Sequence, residues 1–540
     1  MSPMRDNFEL GHLATVDPGR QFSDKAKRDY ADGEQLARLG KKAVLRRTFG
    51  FISILGVSCT TLVTWEGVPI NISLSMKNGG PAGLVYSFIL VWIGNFSFCA
   101  TLCELVSIAP TSAGQYHWVS MLAPRSSAKF LSYITGWLTV GGWQASLATI
   151  VYVSATMIQG VAVLLAPSYT IERYQSTLIM WAVILFSLFI NSVVNRLLSK
   201  FEGLILVLHI LGFFGIMIAL VTLGPRADAA SVFTTFRNDG NWPTQGLSFM
   251  IGTSITATSF LGADAAFHLS EEVSNPSLVV PRSIMLTLMI NGGLGFAMMM
   301  AILFCMGDLQ HALESPTGYP FIEVFHQATD SVAASAIMTA ILIVLCCSAS
   351  VGILASTSRV FWAFARDRGF PFWRTLSSVN PRTSVPLWAV SITSIISALI
   401  GLVVIGSKVA FSDITSLTLS CLYASYFICA VLLLYRRCTG GLRTAHSTTM
   451  SSGPTNTPGG ELVWGPWHIP GVFGIINNAF ACVFLLIIWF FCLWPPATPV
   501  NAAEMNYSVL MTGSMVIFSI VYYPIWGKRD YLGPVIEADL

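Results

Sequence analysis

Twelve apolar segments, each about as long as a bilayer is thick, dominate the sequence. A helix rises 1.5 Å per residue and needs about 20 apolar residues to cross a hydrocarbon layer. The segments lie at 49–74, 84–108, 131–165, 177–195, 201–223, 246–269, 284–306, 332–358, 385–406, 412–435, 470–494 and 506–526. Only 11% of the residues are charged, against about 25% in soluble domains. The chain is therefore predicted to be an all-α polytopic membrane protein with about 12 transmembrane helices, which excludes a soluble enzyme and a disordered protein.

The basic residues divide unevenly between the two sets of loops. Only five of the 30 lysines and arginines follow odd-numbered segments, namely Lys77, Arg173, Arg226, Arg237 and Lys408. The remaining 25 lie in the two tails and in the loops after even-numbered segments. Because cytoplasmic loops are the basic ones, both termini are predicted to be cytoplasmic, and the plasma membrane is the expected location.

Composition shifts divide the chain into five parts. We expect a cytoplasmic tail at 1–46, a core of ten helices at 47–435, a cytoplasmic linker at 436–466, helices 11 and 12 at 467–527 and a tail at 528–540. Lys25, Lys27, Lys41 and Lys42 are possible modification sites, although a solvated tail is the simpler interpretation. The eleven cysteines have no metal-ligand spacing with histidine, so neither a metal nor another cofactor is expected.

The first apolar segment is interrupted by polar and helix-breaking residues. It contains Glu66 and Gly67, and Pro69 follows two residues after Gly67. An ionised Asp at the centre of a membrane helix costs about 2.5–3.5 kcal/mol, and Glu is expected to be similar. Glu66 is therefore predicted to have a partner, a proton or a water-filled site. The alternative is a protonated glutamate, or one that reaches to the outer rim.

The sixth segment is interrupted in a similar way. Gly262 and Asp264 stand inside the apolar stretch. Segments one and six are five apart, which is the spacing of a 5+5 inverted repeat with broken helices 1 and 6, the design that secondary transporters use to bind solutes. Asp264 could alternatively form a structural hydrogen bond. His209 in the fifth segment can change charge near neutral pH, or it can be neutral and bonded to a helix carbonyl.

Four long motifs resemble those of the amino acid–polyamine–organocation permeases, and most closely the fungal GABA and choline permeases. They are GGPAGLVY at 79–86, ELVSIAPTSAGQYHW at 104–118, SFLGADAAFHLSEEVSNPSLVVPRSI at 259–284 and ASTSRVFWAFARDRGFPF at 355–372. The resemblance covers about 45–530. It implies ten core helices and two added ones, unwound at Thr64–Gly67 in helix 1 and at 259–264 in helix 6.

The resemblance also implies roles for particular residues. Substrate would be bound by Thr64, Trp65, Glu66 and Gly67 of helix 1 and by Ser259, Phe260, Leu261 and Gly262 of helix 6. Many relatives have Gly-Ser-Gly where this chain has Trp65-Glu66-Gly67, and a Trp beside a Glu suits an ammonium group. Proton coupling or gating is implied for His209 and Asp264. Glu271, Glu272 and Arg282 match the EExxNPxxxxPR pattern and are expected to form a gate salt bridge.

The expected function is secondary active import of an amino acid or amine-bearing solute, such as GABA or choline, by alternating access. A proton is the expected co-substrate, the lipid bilayer is the other partner, and no nucleic acid is expected. The sequence has no HExxH or GxSxG motif and no phosphate loop, so the chain is not predicted to be an enzyme or an ATP-driven pump. A membrane solute sensor of the same fold is the alternative.

Overall fold

The computed structural model describes residues 32–443, 455–502 and 505–537, without the side chains of 309–310, 408–410, 412–413 and 415. Outside the described residues lie 1–31 of the predicted N-terminal tail, with Lys25 and Lys27, 444–454 of the predicted linker and 538–540 of the predicted C-terminal tail. Eleven helices in the described chain are long and apolar enough to cross a membrane. The interrupted sixth helix completes the set of twelve that the sequence predicts.

We number the membrane helices α1 to α12. Helix α1 has two halves, Phe51–Leu62 and Thr64–Lys77, and α6 begins as Gln245–Ala257 and resumes as the short turn Ala265–His268. The others are α2 (Gly80–Ile108), α3 (Ala128–Leu165), α4 (Arg173–Ser192), α5 (Leu198–Leu223), α7 (Pro276–Cys305), α8 (Val332–Arg366), α9 (Leu387–Gly406), α10 (Lys408–Cys438), α11 (Gly471–Phe491) and α12 (Ser508–Tyr522).

The packing of the helices repeats after five. Helices α1, α2, α6 and α7 pack on one another, and α3, α4, α8 and α9 form a second group in which α3 contacts α8 and α4 contacts α9. Helix α5 lies against the first half of α1 and also against α7 and α8. Each helix of one half thus has a counterpart five positions later, as the 5+5 repeat predicts.

Both broken helices have an identifiable cause for the break. In α1 the interruption is Val63, a β-branched residue with φ 48° in the left-handed region, where such residues are genuine outliers. Thr64–Gly67, predicted to be unwound, instead forms the first turn of the second half, so the predicted break lies one residue too late. In α6 a short 3₁₀ turn at Thr258–Phe260 leads into the irregular segment 261–264.

Gly262 is required at the α6 break. Its φ is 112°, a conformation that side chains rarely adopt, and an added Cβ would lie 2.5 Å from the Thr61 carbonyl oxygen. The Thr61 hydroxyl donates to the Gly262 carbonyl oxygen at 3.2 Å. The two breaks therefore touch each other, and only a glycine allows the approach.

The two described ends of the chain lie on the same face, which we call the terminal face. The Lys42 N–H donates to a Glu537 carboxylate oxygen at 2.6 Å, and the Glu537 N–H donates to the Gly40 carbonyl oxygen at 2.7 Å. An even number of membrane helices returns the chain to the side where it began. The face at the other end of the helices is called the opposite face.

Candidate substrate site and the seal on the terminal face

A cavity of about 640 Å³ opens beside the two helix breaks, within the range of about 300–1,000 Å³ typical of small-molecule sites. It extends to Leu74, Trp494 and Met505 near the opposite face. The residues that line it beside the breaks are Thr61, Leu62, Val63, Gly67, Ser259 and Leu261. The cavity therefore connects the interrupted segments with the opposite face.

The described side chains that line this cavity are all uncharged. The polar character of its inner end comes from the backbone at the α1 break, where a helix that ends at Leu62 leaves carbonyl groups without helical partners. The second half of α1 begins at Thr64, so its first N–H groups point back to the same break. Carbonyl ends favour cations and N–H ends favour anions, so the break offers both polarities to a small solute.

Glu66 and Trp65 do not line the cavity. Both are buried, and the Trp65 ring packs on His209 and Phe213 of α5 at centroid distances of 5.6 and 5.8 Å. Glu66 Oε1 lies 2.7 Å from His209 Nδ1, and the Trp65 indole nitrogen lies 3.2 Å from the same nitrogen. These two side chains, which the sequence predicts to bind substrate, therefore face α5 and not the cavity in this conformation.

The remaining predicted substrate residues divide into two groups. Gly67, Ser259 and Leu261 line the cavity. Thr64 and Phe260 are buried away from it, and the Phe260 ring packs at 5.0 Å, tilted by 57°, on Phe88 of α2. Gly262 serves the contact between the breaks. Asn71, which sequence reasoning missed, lines the cavity and donates weakly to Thr258 and Ser259 hydroxyls at 3.3 and 3.4 Å.

The hydrogen-bond distances around His209 fit a proton shared between its Nδ1 atom and the Glu66 carboxylate. The Asn291 side-chain amide donates to the Cys59 carbonyl oxygen at 2.8 Å, which leaves its Oδ1 facing His209 Nε2 at 3.1 Å. Nε2 must then carry hydrogen and donate. A neutral histidine therefore has a bare Nδ1, and a carboxylate oxygen cannot approach that lone pair at 2.7 Å unless one proton lies between them. Glu66 and His209 are therefore a buried pair whose geometry allows them to share one proton.

Asp264 is buried where α6 resumes. The Gln115 side-chain amide donates to its Oδ2 at 3.2 Å, and His268 Nε2 lies 3.9 Å from the same oxygen. His268 Nδ1 donates to the Ser112 carbonyl oxygen at 3.0 Å. Asp264 therefore connects the α6 break to the segment between α2 and α3, and its predicted role in gating stays a prediction.

Glu271 and Glu272 form ion pairs with α8. Arg366 donates to both Glu271 carboxylate oxygens at 3.0 and 2.8 Å, and Arg359 donates to Glu272 at 2.6 Å. Arg282 is exposed and pairs with neither glutamate, so its expected partnership is wrong. Arg282 lies on the outward surface of α7, and Arg359 and Arg366, both in the motif at 355–372, supply the cations instead.

The tails close over these ion pairs. Lys41, which the sequence assigned to a solvated tail, is fully buried and forms an ion pair with Asp367 at the end of α8. The Tyr116 hydroxyl and the Val535 N–H also donate to Asp367, at 2.8 and 2.9 Å. We call this set, together with the Glu271–Arg366 and Glu272–Arg359 pairs, the terminal seal.

Electrostatics in the terminal seal favour an ionised Asp367 and a neutral His117. Burial opposes ionisation of Asp367, but the charges of Lys41 and Arg366 outweigh it, so the pKa of Asp367 lies below its usual value. Burial, assisted by the charge of Lys41, lowers the pKa of His117 to about 4. His117 lies in the short helix Gln115–Leu122, and both ring nitrogens lack a hydrogen-bond partner in the described chain.

The fold and this site define a class of protein. Two broken helices enclose a cavity that opens at one face, while buried ion pairs close the other face. This is the architecture of a multi-pass membrane transporter.

Comparison with known proteins identifies the family. The model of the amino acid permease family matches residues 49–516, and the chain belongs to that family. A choline transporter of Saccharomyces cerevisiae is 29% identical over 90% of this chain and 83% of its own length. A putative amino acid/polyamine transporter of Macrophomina phaseolina is 27% identical over 84% and 96%. Amino-acid permease 2 of Neurospora crassa is 26% identical over 93% and 89%. The protein is thus a transporter and not an enzyme.

Proposed function

We propose that this protein imports a small zwitterionic or singly cationic amine, such as GABA or choline, together with a proton. The observation that carries the proposal is the buried 2.7 Å contact between Glu66 Oε1 and His209 Nδ1, directly behind the α1 break. In this arrangement Glu66 is 1% and His209 0% exposed, so the proton is shielded from water while the terminal seal is closed.

The cavity supports the choice of substrate. A polyamine with several positive charges would require carboxylates in its site, and the described lining has none. A single ammonium group can be held by the carbonyl end of the first half of α1, and a carboxylate by the N–H groups of the second half. Two of the relatives, a choline transporter and an amino-acid permease, agree with such a site.

Proton and substrate are coupled because both act on the same backbone. Trp65 and Glu66 belong to the turn that follows Val63, so a change in the Glu66–His209 pair moves the N–H groups that face the cavity. A protonated pair keeps this turn packed against α5. Loss of the proton would place a buried carboxylate against a lone pair, which is a costly arrangement, and would favour a second conformation.

We further propose that the terminal face is cytoplasmic and that the protein works in the plasma membrane. In the sequence, 25 of the 30 basic residues lie in the tails and in the loops after even-numbered segments, which agrees with the rule for cytoplasmic loops. The cavity then opens to the outside in this conformation, as an importer awaiting substrate requires. No contact in the described chain favours the alternative of a solute sensor.

Uptake of radiolabelled choline and GABA in a transport-deficient host tests the proposal. We expect uptake of one of them to rise in acidic medium and to collapse with a protonophore. Glu66→Gln should remove this response at normal surface level, whereas Glu172→Gln, at an exposed N-cap, should not. Normal, protonophore-sensitive uptake by Glu66→Gln would refute the role of Glu66. Uptake of neither solute by surface-expressed protein would refute the substrate class.

A further inference from the structure

A second carboxyl lies buried on α5, and nothing in the function above uses it. Glu202 precedes His209 by seven residues, which places it two turns, or about 10.5 Å, nearer the terminal face. It is 0% exposed. The Thr60 hydroxyl donates to its Oε2 at 2.9 Å, and Oε1 has no hydrogen-bond partner in the described chain.

No cation neutralises Glu202. Among the described residues it forms no ion pair, and Thr60 is the one neighbour whose hydrogen bond bears on it. The titratable groups of the surrounding helices are engaged elsewhere or face away: Cys59 bonds Thr287, Glu66 bonds His209, Arg359 bonds Glu272, Arg282 is exposed, and Cys346 is a buried thiol. An isolated buried carboxylate costs several kcal/mol, so this group needs a positive ligand.

The helices around Glu202 pack closely. A Cβ added to Gly56 would lie 2.9 Å from the Glu202 carbonyl oxygen, and one added to Gly352 would lie 2.7 Å from Thr61 Cγ2 and 3.4 Å from Glu202 Oε1. No group of three or more His, Cys, Asp or Glu side chains able to hold a metal occurs in the described chain. A proton can neutralise the carboxylate without a cavity, because it binds to a carboxylate oxygen as an O–H group.

We propose that Glu202 is a second proton-binding site, through which the proton leaves towards the terminal face. This proposal rests on the proposed proton coupling and extends it. Thr60 belongs to the first half of α1, which Val63 separates from the rest of that helix, so the Thr60–Glu202 bond crosses a boundary between parts that can move separately. Separation admits water, the O–H bond of the Glu202 carboxylic acid breaks, and water accepts the proton, which leaves a hydrated carboxylate.

Glu202→Gln tests this step because glutamine imitates the protonated carboxyl and can still accept from Thr60. In proteoliposomes we expect the variant to exchange radiolabelled choline or GABA across the membrane like the wild type. Accumulation driven by a proton gradient should be lost. Glu172→Gln is the matched control. Gradient-driven accumulation at the wild-type level would overturn the inference.

A variant that fails to fold does not prevent the test. Glu202→Asp keeps a titratable carboxyl one methylene shorter, and we expect it to accumulate substrate more slowly than the wild type. Loss of both exchange and accumulation in a folded Glu202→Asp protein would indicate a packing role and overturn the inference.

Infrared difference spectroscopy of the purified protein separates this inference from the proposed function. The spectrum of the wild type minus that of Glu202→Gln should contain a carboxylic-acid C=O band at neutral pH, whatever the substrate. Absence of this band would overturn the assignment of a proton to Glu202. Wild-type accumulation that ignores the proton gradient would instead refute the proposed coupling, even if the band is present.

Discussion

The terminal face and the opposite face of this transporter differ in the residues found there: buried ion pairs close the first, and an uncharged cavity opens at the second. The terminal seal uses full charges, with Glu271, Glu272 and Asp367 each paired in a buried position. The cavity towards the opposite face is lined, in its described part, by uncharged side chains. Buried ion pairs add little net stability, but they are specific. The difference teaches that paired charges lie on the terminal face, where they fix how α8 meets the segment that follows the α6 break.

Removing one member of the seal should have the largest effect. Arg366→Gln leaves Glu271 buried without its partner, and breaking a buried pair in this way costs about 3–5 kcal/mol. We expect a large fall in the thermal midpoint of the purified protein and in its surface level. The double variant Arg366→Gln/Glu271→Gln should recover part of the loss, because it leaves no unpaired charge.

Arg443→Gln provides the control for this comparison. Its partner is Glu461, and the Arg443 side chain is 65% exposed, so its loss should cost no more than about 1 kcal/mol. Equal destabilisation by the two arginine variants would show that burial does not decide the effect, and would remove the distinction between the seal and ordinary surface pairs.

Acid should weaken the seal before it affects the cavity. The folded-state pKa of His117 is about 4, below its value of about 6.5 in the unfolded chain. Between these values the unfolded state binds more protons, so stability is lost as the pH falls from about 6.5 towards 4, by up to about 3 kcal/mol. Asp367, whose pKa is lowered, loses its contribution only at still lower pH.

Thermal midpoints measured across this range check the prediction. His117→Phe keeps an aromatic ring in the buried position and removes the titration, so its midpoint should fall less with acidification than that of the wild type. Parallel pH profiles for the two proteins would contradict the assignment of this slope to His117.

The smallest effect is expected on the side of the cavity. Asn71→Ala removes two weak hydrogen bonds, at 3.3 and 3.4 Å, to the Thr258 and Ser259 hydroxyls. A typical hydrogen bond contributes about 0.5–1.5 kcal/mol, so we expect the KM for uptake to rise about two- to tenfold, with stability nearly unchanged. A variant that unfolds as readily as Arg366→Gln would mean that this side, too, is held by its polar contacts.

The sequence predicted the number of helices and the helices that break, because hydropathy and misplaced Gly, Pro and carboxyl residues report these features directly. It could not predict which way a side chain turns on a helix that is apolar on all sides. The sequence therefore predicts that Trp65 and Glu66 face the substrate, although both side chains pack on α5. For the same reason Glu202, near the start of an apolar segment, gave no signal that it is fully buried.

The partners in the seal were unpredictable for a different reason. Arg359 and Arg366 lie about 90 residues from Glu272 and Glu271 in the chain, and Arg282 is the nearer basic residue. Sequence proximity favoured Arg282, whereas the packing of α8 beside the α6 segment selects the distant pair. The burial of Lys41 depends on both tails meeting, which no local pattern records.

The burial of Lys41 makes the reactivity of its amine depend on whether the terminal seal is shut. Its amine is 0% exposed in the seal, so an acylating reagent, or an enzyme that modifies lysines, cannot reach it while the seal is shut. Each opening that parts the tail from Asp367 presents the amine to water for the length of that opening. Under the proposed function each transport cycle opens the seal, so Lys41 should be acylated sooner in molecules that transport than in idle ones, and the fraction acylated reports how often the seal opens.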